Sequence, residues 1–291
     1  MNPKEEKKTY ENKDKNKDKY SIDEKLEAKK IRKQTMKICV CVKHVPDTAA
    51  TIKLAGDKGF VDSEIKFVSN PYDEYGIEEA VSLVEKQGGE VVIVTVGKPA
   101  AVATIRSAMA MGAHRAILVK TEGQFLDADL TARALKLAIE QDGLPDMIFT
   151  GKGSVDTESF QTQYRLAASL GMGVVNEVSL LTVDGDKVIA ERETGGGEKQ
   201  VIEAHLPCVI GATKGLNEPR YPKFPDIMKA KKKQIKEMDL AELGIDALAG
   251  RVVLEKLEVV PERSGAKMLT GTIDAQVTEL VRVLREDEKV L

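Results

Sequence analysis

Three short stretches of the chain each carry lysine, two of them together with glycine and with hydroxyl or carboxylate side chains. They are Val42-Lys43-His44, Thr95-Val96-Gly97-Lys98 and Gly151-Lys152-Gly153-Ser154-Val155-Asp156-Thr157. Each follows an apolar run of the kind that forms a buried strand, and in open α/β sheets ligands bind at such strand ends. Glycine lets backbone N–H groups approach an anion, and helix N-termini near Pro99 and Thr157 favour phosphate. The chemistry that suits these residues is the holding of a nucleotide. The same glycines also serve the turn from strand to helix, so pattern alone leaves both uses open.

Residues for bond-making chemistry are missing. The sequence contains no G-x-x-x-x-G-K-[ST], no strand-linked G-x-G-x-x-G, no G-x-S-x-G and no H-E-x-x-H. His44, His114 and His205 are scattered, whereas a metal site needs them to converge with carboxylates or thiols. Cys39, Cys41 and Cys208 sit in apolar segments and read as small core residues, with no disulfide framework. This cysteine usage points to a reducing, cytoplasmic setting. With 44 Lys and Arg against 47 Asp and Glu, net charge is −3, and Trp is absent. Neither a nucleic-acid partner nor a charged membrane surface is indicated. No apolar run approaches the roughly 20 residues of a membrane helix, so no membrane insertion is expected.

The elements that must position the three stretches follow from periodicity. Strands are predicted over 38–42, 90–96, 116–119, 147–150 and 208–211. Amphipathic helices are predicted over 73–86, 100–111, 129–141 and 157–170. This alternation specifies an α/β fold, a mostly parallel sheet with helices on both faces. After Gly171 the pattern changes to β-rich runs at 174–181, 188–193 and 200–205 around the turn Asp184-Gly185-Asp186, which predicts an added antiparallel β-meander. Further on, a strand over 252–259 and a helix over 274–285 are expected in a C-terminal arm that packs on something else.

Residues 1–35 are built from Lys, Glu, Asp and Asn and read as a disordered charged extension. It is either a genuine tail or the product of a start upstream of Met36. The nucleotide-binding domain with its meander is expected over 36–215, a proline-rich loop and basic helix over 216–233, and the arm over 234–291.

Several runs in this order resemble the beta subunits of electron transfer flavoproteins: VKHVPD (42–47), NPYDEYGIEEA (70–80), TIRSAMAMGAHRAI (104–117), GKGSVD (151–156), ERETGGG (191–197) and LNEPRYPKFPDIMKAKKK (216–233). The last is the longest and most specific, and the resemblance spans residue 36 to the C-terminus. It implies an electron carrier subunit without its own catalytic constellation, paired with an alpha subunit that holds most of the contacts to FAD. Acyl-CoA or other flavin dehydrogenases are the implied donors. It also implies a Rossmann-like nucleotide-binding domain that keeps a second nucleotide, usually AMP, or another FAD in an electron-bifurcating branch, and a C-terminal arm over 234–291 that packs on the alpha subunit. The positions that match the family's nucleotide contacts are Cys41, Asn70, Val96, Gly97, Asp156, Gln161 and Thr162, at the same strand ends picked out above. Tyr72 matches an aromatic close to the isoalloxazine.

Two departures qualify the resemblance. Bifurcating members are similar to D-G-D-T-A-Q-V-G-P after the fourth strand, whereas this chain reads Asp156-Thr157-Glu158-Ser159-Phe160-Gln161-Thr162-Gln163-Tyr164. A pyrophosphate needs open backbone donors and disfavours an adjacent carboxylate, so Glu158 and Phe160 favour AMP over a second FAD. Gly195 stands where an Asp is usual, while Arg192, Gly196, Gly197 and Pro207 agree. Arg192 and Glu193 match positions facing the mobile flavin domain of the alpha subunit, and Glu193 is expected to pair with an arginine there; the alternative is a solvated strand face.

In the 216–233 segment, Pro219, Pro222 and Pro225 stiffen a loop and lower the entropy lost on docking. The resemblance makes this the dehydrogenase recognition loop, with Arg220, Tyr221, Phe224, Pro225, Ile227, Met228 and Lys229 as partner-binding residues and Phe224 as the apolar anchor. The KAKKK run reads as a basic rim that steers an acidic partner, or as a solvated helix face. A stand-alone nucleotide-binding module remains the alternative from another class.

Overall fold

The computed structural model describes residues 35–246, 249–261 and 265–291. The charged extension expected over 1–35 lies, apart from its last residue, outside the described residues. The chain divides into two units between Glu255 and Lys256.

In the larger unit, β1 (Met36–Cys41) leads through the short antiparallel pair β2 (His44–Pro46) and β3 (Phe67–Ser69) to α1 (Pro71–Gln87). Next come β4 (Gly89–Gly97), α2 (Val102–Ala110), β5 (Arg115–Lys120), α3 (Ala128–Asp142), β6 (Met147–Gly151) and α4 (Thr162–Leu170). The chain continues through β7 (Gly173–Asp184), β8 (Lys187–Gly195), β9 (Glu198–His205), β10 (Cys208–Ala212), α5 (Phe224–Ala230) and β11 (Ile235–Asp239). The nine-stranded sheet has the order β11-β5-β4-β1-β6-β10-β7-β8-β9. Pairing is parallel from β11 to β7 and antiparallel from β7 to β9, so the parallel sheet with a β-meander is present as expected.

Alternation along each strand sends side chains to opposite faces. From β1, Ile38 and Val40 join Ile77, Ile105, Phe149 and Ile210 under α1 and α2. Cys39 and Cys41 join Leu130, Leu135, Ile148 and Leu166 under α3 and α4. All three cysteines are buried and free, and burial pushes the Cys39 thiol up to about 12 and Cys208 up to about 11. They are inert core residues. Helix ends follow local chemistry: Pro71 opens α1 after Asn70, the Asp127 carboxylate accepts from the Leu130 N–H at 2.7 Å to cap α3, and left-handed Gly171 closes α4.

Two expectations need correction. The helix expected from Thr157 begins at Thr162, because Glu158 (φ 45°) and Phe160 (φ 49°) adopt left-handed backbone that a right-handed helix cannot contain. The strand expected over 252–259 is absent; those residues are described without a ladder, and Val252, Val253 and Val259 are exposed. A strand needs a hydrogen-bonding neighbour, and the sheet edge beside β5 is taken instead by β11, a charged segment that the apolar pattern did not reveal. β11 also extends the sheet into the span assigned to the arm.

The smaller unit, Lys256–Leu291, carries α6 (Ile273–Arg282), capped by the Thr272 hydroxyl and continued by one π turn over Val283–Asp287. No side chain of this helix is buried, and Ile273, Val277, Leu280 and Val281 are exposed. Among the described residues, no helix is long and apolar enough to cross a membrane, and no group of His, Cys, Asp and Glu could hold a metal ion.

Candidate functional site

The strand order reverses at β1. From there the chain goes to β4 and β5 on one side and later returns to β6 and β10 on the other. The loops leaving the carboxyl ends of β1 and β6 therefore diverge from adjacent strands, which opens a crevice where doubly wound sheets bind ligands. Two of the three stretches singled out in the sequence meet there.

The Lys43 ammonium, just after β1, donates to the Asp156 carboxylate at 2.7 Å, the Ser154 hydroxyl at 3.2 Å and the Thr157 hydroxyl at 3.3 Å. It thus neutralises the acid on the loop after β6. Beneath it lies Asp73, on the first turn of α1 and 4% exposed. Its carboxylate accepts from the Lys43 N–H at 2.7 Å, the Asn70 side-chain amide at 2.8 Å and the Gly151 N–H at 2.9 Å. Burial pushes this carboxyl up to about 7, against the opposing pull of those three donors. The Asn70 amide also donates to the Gly153 carbonyl, and its oxygen accepts from the Val155 N–H. Gln163 and Asn176 hold the Lys152 carbonyl from the other side.

The glycines act differently from the sequence expectation. A Cβ at Gly151 would fall 2.4 Å from the Asp73 carboxylate and 2.7 Å from Tyr72, and one at Gly153 would fall 2.4 Å from the Phe160 ring. The space that glycine creates is filled by the chain's own side chains, so these residues first serve packing of the loop. The donors left for an anion come from α4. Its first-turn N–H groups at Thr162, Gln163 and Tyr164 have no intrahelical acceptor, and the N-cap Gln161 gives them no side-chain cap. The Gln161 oxygen is engaged by the Arg165 guanidinium instead. At the strand ends, the buried Thr95 and Thr150 hydroxyls have no hydrogen-bond partner. An uncapped helix N-terminus after β6, with unpartnered hydroxyls near the ends of β4 and β6, is chemistry that suits a phosphate group.

The residues expected to line this site lie at one edge of the sheet. Cys41 ends β1 and is buried, Asn70 caps α1, Val96 and Gly97 end β4, and Asp156, Gln161 and Thr162 follow β6. Tyr72 sits on the first turn of α1 with the Lys152 ammonium 5.1 Å from its ring centroid.

A second polar assembly holds the 216–233 segment. The Arg220 guanidinium donates to Glu78 at 2.8 Å and 3.0 Å and to Glu85 at 2.7 Å and 3.0 Å, both on α1. This holds both carboxyls below the usual range even though burial pushes Glu78 upward. The Asn217 amide reaches the Tyr75 carbonyl and Glu79. Arg106 donates to the Ala230 and Lys233 carbonyls, and Lys233 turns inward to the Met109 and Ala113 carbonyls. What remains outside is apolar: Tyr221 is 96% exposed and Phe224 74%, with Ile227 and Met228 exposed beside them.

Residues 58–243 match the family model described as the electron transfer flavoprotein domain. The chain is 39% identical over 260 residues to the electron transfer flavoprotein subunit beta of Bradyrhizobium diazoefficiens, covering 88% of this chain and all of that protein. It is 36% identical to the corresponding subunit of Bacillus subtilis, covering 88% of this chain and 100% of the relative. The human subunit is 36% identical, with 85% and 99% covered. The chain belongs to the electron transfer flavoprotein family, among its beta subunits.

As an electron transfer flavoprotein beta subunit, the chain places Arg192 and Glu193 on β8, beyond β10 and β7 from the crevice. Arg192 donates to Gln200 across the β8–β9 ladder, while Glu193 is exposed opposite Lys199. Arg220 spends its guanidinium on α1, Pro225 and Lys229 are exposed on α5, and Lys229 pairs with Asp226 at 3.5 Å. The KAKKK rim is thinner than expected, since Lys233 is an internal cap. Sequence reasoning missed Asp73 as the crevice's buried acid. The signal was the Asn70-Pro71-Tyr72-Asp73 spacing, in which an Asn side chain at the N-cap faces an acid three residues on.

Proposed function

We propose that this chain works as the beta half of a cytoplasmic heterodimer that carries electrons from an acyl-CoA or other flavin dehydrogenase to a downstream acceptor, and that its own crevice keeps AMP. The alpha subunit supplies most of the FAD site, and bound FAD supplies the redox chemistry. The chain itself contributes a rigid base, the second nucleotide and a docking surface, without a catalytic step of its own.

The observation that carries the AMP reading is the loop after β6. The Phe160 ring lies against Gly153, and Glu158 and Phe160 hold strained left-handed backbone, so the loop is tightened over the point that a pyrophosphate would approach. A single phosphate needs fewer open donors, and the uncapped α4 N-terminus offers them. Nucleotides released from the purified heterodimer and separated by chromatography test this. The expected yield is one FAD and one AMP per dimer; two FAD and no AMP would establish the electron-bifurcating type instead.

A further inference from the structure

A cleft of about 320 Å³ opens between the start of α1, the end of α2 and the loop at 219–222. Its walls are Tyr75, Ser107, Met111, Pro219 and Tyr221, and two charged residues reach it, Arg220 and Glu74. Arg220 is already committed to Glu78 and Glu85. Glu74 is different: among the described residues its carboxylate has no hydrogen bond and no ion pair. Burial alone moves it, upward. A half-buried carboxylate without a cation is costly in a folded chain, and the cost is removed when a cation arrives from outside.

We infer that this cleft is the receptor for an arginine side chain of the protein that docks on Tyr221 and Phe224. The occupant's chemistry follows from the walls. Glu74 supplies the charge, Tyr75 and Tyr221 supply aromatic surface against which a planar guanidinium stacks, and the Ser107 hydroxyl faces the same space. The partner's scale follows from the neighbours: Tyr221, Phe224, Ile227 and Met228 are large apolar side chains exposed within one short segment, which suits a protein surface. The same segment carries the exposed side chains of Lys223, Lys231 and Lys232. An acid cleft and exposed ammonium groups on one docking segment select a partner that carries an acidic patch as well as the arginine.

This inference rests on the reading of residues 216–233 as the dehydrogenase docking surface. The assembled heterodimer is titrated against an acyl-CoA dehydrogenase reduced by its acyl-CoA, with wild type, Glu74→Gln and Phe224→Ala compared at low and high salt. Glu74→Gln is expected to raise the apparent KM for the dehydrogenase about tenfold at low salt, with the loss shrinking at high salt and flavin content unchanged. If Phe224→Ala loses coupling while Glu74→Gln keeps it, the docking reading stands and the arginine receptor is wrong. A Glu74→Gln defect that ignores salt, or that lowers flavin content, also overturns it, since the carboxylate then serves packing or assembly. If neither variant alters coupling, the docking reading fails and the receptor with it.

Discussion

The crevice at β1 and β6 and the 216–233 segment are both rich in charge, and the fold uses that charge in opposite directions. In the crevice the polar groups turn inward on one another: Asp73 takes three N–H donors, and Lys43 is bound to three oxygens of the loop after β6. In the 216–233 segment Arg220 and Lys233 face down onto α1 and α2, while Tyr221, Phe224, Ile227 and Met228 are exposed together with Lys223, Lys229, Lys231 and Lys232. The first arrangement makes a rigid, pre-organised edge with an uncapped helix end. The second makes a pedestal under exposed apolar side chains, which the proposed docking would use as its hot spot. Stability should therefore reside in the polar groups of both regions, while recognition resides in the helix end of one and the apolar face of the other.

Substitution at Asp73 should have the largest effect. Asp73→Ala strands the N–H groups of Lys43 and Gly151 in the core, which costs roughly 2–4 kcal/mol of unfolding free energy in denaturant titrations. The same residue sets a pH signature. Its folded value of about 7 lies above the usual value of about 4, so between them the folded chain binds more protons and this group's contribution to stability falls as pH rises. Denaturation midpoints at pH 5 and pH 8 should show this fall in the wild type, and Asp73→Asn should remove it. Next is Arg220→Ala, which leaves the mostly buried Glu78 without its cation and should cost about 1–3 kcal/mol in the same assay. Phe224→Ala should change stability by less than about 0.5 kcal/mol yet weaken dehydrogenase coupling about tenfold or more. A Phe224 variant that unfolds as readily as the Arg220 variant would erase the distinction between pedestal and hot spot. The smallest effect belongs to Glu193→Ala, expected to alter electron-transfer rates severalfold in stopped-flow traces while FAD content stays constant.

Much of the parallel sheet was legible because its strands are buried on both faces and read as unbroken apolar runs, as in residues 147–150. The crevice was legible as a place, since it lies at strand ends, but its inner wiring was not. Asp73 reads in sequence as an ordinary first-turn acid of α1, and only the fold brings it under Gly151. The loop at 156–161 looked helical because left-handed backbone at Glu158 and Phe160 leaves no mark in a periodicity. β11 was hidden by its charges, which suit an edge strand, and β2 and β3 are too short to show alternation. The valines at 252–259 were misleading for the opposite reason: their composition favours a strand but no ladder is on offer.

The division between the two regions can be tested most directly by hydrogen exchange on the assembled heterodimer prepared with and without AMP. Added protection is predicted over 42–44, 70–73 and 151–164, with residues 219–230 unchanged. Protection that appears over 219–230, or no change at the ends of β1 and β6, would contradict the account.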